Sequence, residues 1–248
     1  MQGDCLELME EIPDKSIDLI LCDLPYGMTD CKWDVVIPLE LLWNNYRRII
    51  KDNGAVVLFA AQPFTTKLIN SAKDIFRYCW YWHKNAPTGF CFAKYQPMRC
   101  MEDICVFYKK APTYNPQGFI RLDKPKVRKG KRPDGGVYKA ETLQKDTVYT
   151  VTNYPRNLLD FPVERGFHPT QKPVALLEYL IRTYTNPGDT VLDNCMGSGS
   201  TGVAAMQSGR NFIGMEKENK YFMTAQKRLK AIQMEMKQCQ RNQRDRAA

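Results

Sequence analysis

The run Asp23-Leu24-Pro25-Tyr26 gathers a carboxylate, a proline-stiffened turn and an aromatic ring within one short stretch. It follows Ile17-Asp18-Leu19-Ile20-Leu21-Cys22, an apolar run that reads as a buried strand of a parallel sheet. Ligands of open parallel sheets gather at the carboxyl ends of the strands. Proline fixes its own φ and biases the residue before it to extended geometry. Asp23 and the Leu24 carbonyl are then two hydrogen-bond acceptors beside the flat face of Tyr26. Such a set suits a planar group that carries an exocyclic NH2. The same residues also read as an ordinary strand-to-turn exit, where Asp and Pro are common.

A second constellation lies near the other end of the chain. Gly197-Ser198-Gly199-Ser200-Thr201-Gly202 has the spacing G-x-G-x-x-G. Thr190-Val191-Leu192 reads as a short strand ending in Asp193, and the glycine run opens a helix. The next strand, Asn211-Phe212-Ile213-Gly214-Met215, ends at Glu216. That context points to an adenosine-containing cofactor. Glycines let the backbone approach the ligand, and an acidic residue at the second strand's end accepts hydrogen bonds from ribose hydroxyls. A nicotinamide-dependent dehydrogenase shares both features. It needs two nucleotide-binding halves, and here one further strand follows Asp193.

Asp23-Leu24-Pro25-Tyr26 resembles the (Asp/Asn/Ser)-Pro-Pro-Tyr motif of amino-methyltransferases, with Leu24 in place of the usual first Pro. That position's role needs only a carbonyl. His168-Pro169-Thr170-Gln171-Lys172-Pro173 and Leu192-Asp193-Asn194-Cys195-Met196-Gly197-Ser198-Gly199 resemble the cofactor motifs of β-class DNA amino-methyltransferases, which share this order of catalytic motif, recognition region and cofactor motif. The resemblance covers nearly the whole chain and is strongest to the small DNA adenine methylases of phages and prophages. Departures are Asn194-Cys195, where Pro-Phe is commoner, and Cys100-Met101 ahead of Glu102, where His-Glu is usual.

The resemblance implies a circularly permuted, Rossmann-like α/β methyltransferase fold: a mostly parallel seven-stranded sheet, helices on both faces and a basic recognition insertion. It implies S-adenosyl-L-methionine as cofactor and no metal. Asp23, Leu24, Pro25 and Tyr26 would be catalytic. Asp4, Cys5, Asp23, His168, Thr170, Lys172, Asp193, Met196, Gly197, Ser198, Gly199, Ser200 and Glu216 would bind the cofactor. The reaction would move a methyl group to the N6 amino group of adenine in DNA, by in-line attack on a flipped-out base. Asp at the first motif position leans to adenine in this family. Cytosine N4 methylation and a catalytically silent nucleotide- and DNA-binding protein are the alternatives. A homodimer and a cognate restriction endonuclease are further partners the family admits.

The intervening chain must position these groups. Leu39 to Ile50 has helical spacing and ends at Asp52-Asn53-Gly54; Ala55 to Ala60 reads as a second buried strand. A helix runs from Gln62-Pro63-Phe64 to about Ala72, and strands cover Phe76 to His83 and Glu102 to Tyr108. His83 reads as a strand-end side chain with no partner, and Trp33 as a plug at the core edge. Phe90, Phe92 and Tyr95, near Lys94 and Arg99, read as a nucleic-acid surface or a hydrophobic edge. A stunted strand precedes the first helix, whose N-cap is Asp4.

From Lys109 to Arg165 the periodicity dissolves. Arg121, Lys124, Lys126, Arg128, Lys129, Lys131 and Arg132 face Asp123 alone, and Pro125, Gly130 and Pro133 forbid a long helix. A long irregular segment inside a compact domain is functional or disordered. This one reads as a DNA-contacting loop, partly disordered without DNA, with Lys124, Lys126, Arg128, Lys129, Lys131 and Arg132 on the phosphates. The chain thus divides into a catalytic half (1–108), a recognition insertion (109–165), a cofactor half (166–238) and a polar tail (239–248). The 248 residues carry a net charge of +9, which favours a polyanionic partner. Nine cysteines without C-x-x-C spacing and only two histidines argue against zinc and for small buried thiols in a reducing cytoplasm. No run is long and apolar enough to span a membrane, and the N-terminus lacks the basic and apolar regions of a signal peptide.

Overall fold

The structure, a computed structural model, describes residues 1–29, 31, 34–130, 146–167 and 170–247. It divides into two compact units, one of residues 1–115 with 157–248 and one of residues 116–156.

The larger unit is built on a seven-stranded sheet. Its strands are β1 (Ile17–Asp23), β2 (Ile50–Ala60), β3 (Phe76–Thr88), β4 (Arg99–Phe107), β7 (Leu158–Asp160), β8 (Thr190–Asp193) and β9 (Asn211–Gly214), in the spatial order β7-β3-β4-β2-β1-β8-β9. The pairs β1–β2, β1–β8, β8–β9 and β3–β7 are parallel, and only β4 runs against its neighbours. The central strands are apolar throughout because helices cover both faces. Side chains alternate across the sheet. Ile20 and Cys22 of β1 face a core with Met9, Leu42, Tyr46 and Phe107, under α1 (Cys5–Glu10), α2 (Leu39–Ile49) and α3 (Phe64–Ser71). Leu19 and Leu21 face the other core with Trp80, Leu177, Ile181, Tyr184 and Ala204, under α4 (Val174–Tyr184) and α5 (Ser200–Gln207). The stunted first strand is a single parallel bridge, Gln2 to Glu216, which ties the N-terminus to the end of β9.

Several boundaries differ from expectation. Helix α2 stops at Ile49, and β2 begins at once at Ile50, because Ile50 is already extended and pairs with Ile17 of β1. Strand β3 continues past His83 to Thr88, held by pairing with Arg99 of β4. His83 has a partner, Asp160 of β7, 2.6 Å away. Strand β7 lies within the segment that loses periodicity; it is three residues long, with only Leu159 buried, too little for a pattern. The last helix, α6 (Asn219–Ala247), runs on through the polar tail, as its Lys, Arg and Gln content permits. Of its apolar stripe, Ala225 is buried, and Phe222, Leu229, Ile232 and Met236 are half-buried.

The smaller unit carries an antiparallel hairpin of β5 (Ile120–Arg128) and β6 (Thr147–Thr152). The stretch expected to be loop is therefore partly strand. Lys124, Lys126 and Arg128 lie on β5 and are exposed, and the pairing with β6 is irregular between Arg121 and Lys126. Trp33, Lys131, Arg132 and His168 lie outside the described residues.

Candidate active site

Three adjacent parallel strands, β1, β8 and β9, deliver Asp23, Asp193 and Glu216 to one edge of the sheet. Because β4 is antiparallel, its beginning reaches that same edge and adds Glu102. A cavity of about 670 Å³ opens there, wholly within the larger unit. Asp4, Cys5, Asp23, Leu24, Pro25, Tyr26, Thr170, Lys172, Asp193, Met196, Gly197, Ser198, Ser200 and Glu216 all line it. Residues from the two ends of the chain thus share one site.

At one end of the cavity lies a network of charges. Lys172 Nζ donates to Asp23 Oδ2 at 2.5 Å and lies 2.9 Å from Glu102 Oε1. Tyr26 Oη donates to Asp23 Oδ1 at 2.7 Å and lies 3.2 Å from Glu102 Oε1. Lys84 Nζ, on β3, donates to Glu102 Oε2 at 3.3 Å. Burial raises the Asp23 carboxyl, the Lys172 ammonium opposes that, and Glu102 adds to it. For Glu102 burial is outweighed by the two lysines, which hold it below the usual range. Burial and the two carboxylates push the Tyr26 phenol up, so it remains a donor. One face of Tyr26 stacks on Phe64, with centroids 5.1 Å apart. The turn after Tyr26 is fixed by Asp34, which accepts from the amides of Gly27, Met28 and Thr29 at 2.8, 2.9 and 2.7 Å.

The other end is built from the glycine turn. Gly197 N donates to Glu216 Oε2 at 2.9 Å and Glu218 N to Glu216 Oε1 at 2.8 Å, so that carboxylate is pinned, while burial raises it. Asp193 Oδ1 accepts from Cys195 N at 3.0 Å, and burial lifts its carboxyl to about 6. Asp4 caps α1 through Leu6 N at 3.0 Å and also reaches Lys217 at 3.1 Å. A strand-end carboxylate beside a tight glycine turn, in a cavity of ligand size, fits an adenosyl group. Among the described residues no cluster of His, Cys, Asp or Glu is arranged to hold a metal.

Lys172, grouped with the cofactor residues by resemblance, lines the cavity and makes contacts with Asp23 and Glu102. Gly199 does not line the cavity. Its φ of +80° needs glycine, and a Cβ there would stand 3.0 Å from the Ala225 Cβ. Gly202 likewise has no room, with Phe212 and Leu229 at 2.6 and 2.7 Å from an added Cβ. Both glycines lie close against neighbouring elements. Lys84, Phe64 and Asp34 were not foreseen as site residues; the one available signal was the Lys and Glu placed at opposite ends of two strands that form a hairpin. Lys124, Lys126, Arg128 and Lys129 belong to the smaller unit.

A nucleoside-binding turn and an acceptor-lined aromatic end, sharing a cavity at the carboxyl edge of a mostly parallel sheet, define a group-transfer enzyme. The chain belongs to the N6/N4 methyltransferase family of DNA methylases, which matches residues 17–227. It is accordingly a DNA methyltransferase that depends on S-adenosylmethionine. Over 92% of its length it is 29% identical to the DNA adenine methyltransferase YhdJ of Escherichia coli K12, covering 81% of that protein. Over 94% of its length it is 28% identical to the type II methyltransferase M.HinfI of Haemophilus influenzae, covering 68% of it. Among solved structures, the M1.HpyAVI–SAM complex superposes with a TM-score of 0.63 at 27% identity, over 92% of this chain and 98% of that one. The cytosine-N4-specific PvuII methyltransferase gives 0.65 at 18% identity, over 90% and 83%, a likeness of fold.

Proposed function

We propose that the enzyme methylates the N6 amino group of adenine in DNA. The observation that carries this reading is Asp23 and Leu24, with Tyr26, at the end of a cavity whose other end is the glycine turn. The adenine preference draws on the Asp at the first motif position and on the adenine designation of YhdJ. When bound, S-adenosylmethionine supplies a methyl carbon that the amino nitrogen takes as the C–S bond breaks, its electron pair leaving on sulfur.

The protein's own part is binding and alignment. Asp4, Cys5, Thr170, Asp193, Glu216 and the Met196–Ser200 turn hold the cofactor end. An aromatic amine is a poor nucleophile because its lone pair is delocalised into the ring. Asp23 and the Leu24 carbonyl accept its N–H groups, localise that lone pair and fix its direction. The nitrogen sheds one proton after transfer, to Asp23 or to water. Tyr26 offers its free face to the base, which must leave the duplex to reach the cavity. Lys124, Lys126, Arg128 and Lys129 contact phosphates. The type II designation of the Haemophilus relative supports pairing with a cognate endonuclease. A homodimer is part of the proposal, and light scattering on the purified protein decides it. The nine free thiols support a reducing cytoplasm as its setting.

Methylation-aware sequencing of DNA from cells expressing the protein tests the reading. N6-methyladenine in a recurring sequence context is expected, and an Asp23→Ala chain should leave that DNA unmodified. N4-methylcytosine would reassign the base, and no modified base at all would remove the reading.

A further inference from the structure

We propose that Lys172 is a positioning residue for the acceptor amine rather than a cofactor ligand: it holds Asp23 as a fixed, ionised hydrogen-bond acceptor, and Glu102, anchored by Lys84, holds Lys172 in place. The inference rests on the amino-methyltransferase reading above and adds residues to it.

Lys172 is buried, sits between Asp23 Oδ2 at 2.5 Å and Glu102 Oε1 at 2.9 Å, and lies over the Phe59 ring at 5.1 Å. Glu102 is buried too, and its second oxygen takes Lys84 at 3.3 Å. Tyr26 Oη bridges the same two carboxylates. Two ammoniums and two carboxylates thus compensate one another, with Lys172 and Glu102 buried and Asp23 open to the cavity. A carboxylate in such a place would take up a proton if its cation were removed. Protonated, Asp23 would present a donor where the amino group needs an acceptor. Lys172 therefore works on the direction and sign of the hydrogen bond that aligns the nucleophile. Each Asp23 oxygen accepts one bond in the network, which leaves lone-pair capacity for the incoming N–H.

The charged and titratable groups facing Asp23 come from four elements. Lys172 arrives from the segment before α4, Glu102 from β4, Asp193 from β8, and Tyr26 and Cys22 from Asp23's own strand and turn. Lys172 and Glu102 carry opposite charges, so removing each should move Asp23 in opposite directions. This signature separates electrostatic positioning from mere support of the fold.

The test uses the full-length enzyme with S-adenosylmethionine and duplex DNA, in single turnover, normalised to the cofactor-binding fraction. In Lys172→Met the acid limb of the rate profile should move up by about 1–3 pH units, the usual effect of losing an adjacent opposite charge. Lys172→Arg should bring the limb back. In Glu102→Gln it should move down. Cofactor affinity by calorimetry should change less than twofold in all three. Infrared titration gives a readout that needs no turnover: Lys172→Met should show a protonated carboxyl band at neutral pH, and a further Asp23→Asn change should abolish it. Should Lys172→Met fail to fold, the downward limb of Glu102→Gln and the limb of Lys172→Arg decide the matter. A limb that stays put, or moves the same way in both charge removals, overturns the proposal, as does loss of cofactor binding in Lys172→Arg. If the wild-type enzyme modifies no DNA, the functional reading falls, while the infrared band still decides what Lys172 does to Asp23.

Discussion

Single residues in this molecule are held against their own preference, and Asp193 shows the cost. It is buried at the end of β8, and its carboxyl stands at about 6 in place of the ordinary 3.8. A carboxyl raised in the folded state binds more protons there than in the unfolded chain between those values. Its contribution to stability therefore falls as pH rises from about 4 through about 6. Keeping that charge buried at neutral pH costs on the order of 3 kcal/mol. Asp193→Asn keeps an oxygen for the Cys195 amide and removes the charge. The variant should be more stable than wild type at pH 7.5 by up to that amount, and nearly equal to it at pH 4, by urea unfolding. A difference that does not vary with pH would show that the charge carries no such cost. Strain of this kind at a pocket is a mark of function rather than of folding. The sequence made Asp23, Asp193 and Glu216 legible because each ends an apolar run. Lys172 was legible as a site residue only through resemblance, and the pairing of Lys172 and Lys84 with Glu102 was not legible, because Glu102 enters on the antiparallel strand of the larger sheet and Lys84 on the strand beside it.

Elements show where reading from sequence stops. Strands β1, β2 and β8 were legible as buried runs because both sheet faces are covered. Strand β7 was not, since one buried leucine in three residues makes no pattern. The hairpin of the smaller unit hid behind Pro125 and its charges, which edge strands tolerate. The glycine run was legible as a motif, but its meaning divides. Gly199 has φ +80° with the Ala225 Cβ and Cα of α6 at 3.0 and 3.2 Å from an added Cβ, whereas Gly209 has φ +76° and open space. Both alanine substitutions carry the left-handed penalty of about 1–2 kcal/mol. Only Gly199→Ala must also push α6 away, and part of that contact is backbone. Urea unfolding should show a loss for Gly199→Ala that clearly exceeds the loss for Gly209→Ala. Equal losses would mean that α6 yields freely, and that this glycine serves the turn alone.

Across the whole molecule, charge is not spread evenly. Residues 116–156 hold ten Lys and Arg against four Asp and Glu, so this unit carries +6 of the chain's +9. In the larger unit the charges at the cavity are paired, Lys172 with Asp23 and Glu102 and Lys84 with Glu102, and further pairs join Arg47 to Asp74 and Lys51 to Asp18. A methyltransferase of DNA needs cations for phosphates, and the smaller unit is where the sequence concentrates them. On β5, Lys124, Lys126 and Arg128 are all exposed. Each phosphate neutralised by such a cation releases a counterion, and log K falls against log salt with a slope near −0.9 for every contact. Replacing the three together with Ala should therefore flatten the slope by about 2–3, with affinity falling most at low salt. Cofactor affinity should stay as it is, because the glycine turn and Glu216 belong to the other unit. Fluorescence anisotropy with one duplex, titrated across 50–200 mM salt, reads both numbers. An unchanged slope would place the phosphate contacts elsewhere. A change in cofactor affinity would mean that the substitutions had disturbed the fold rather than a binding face.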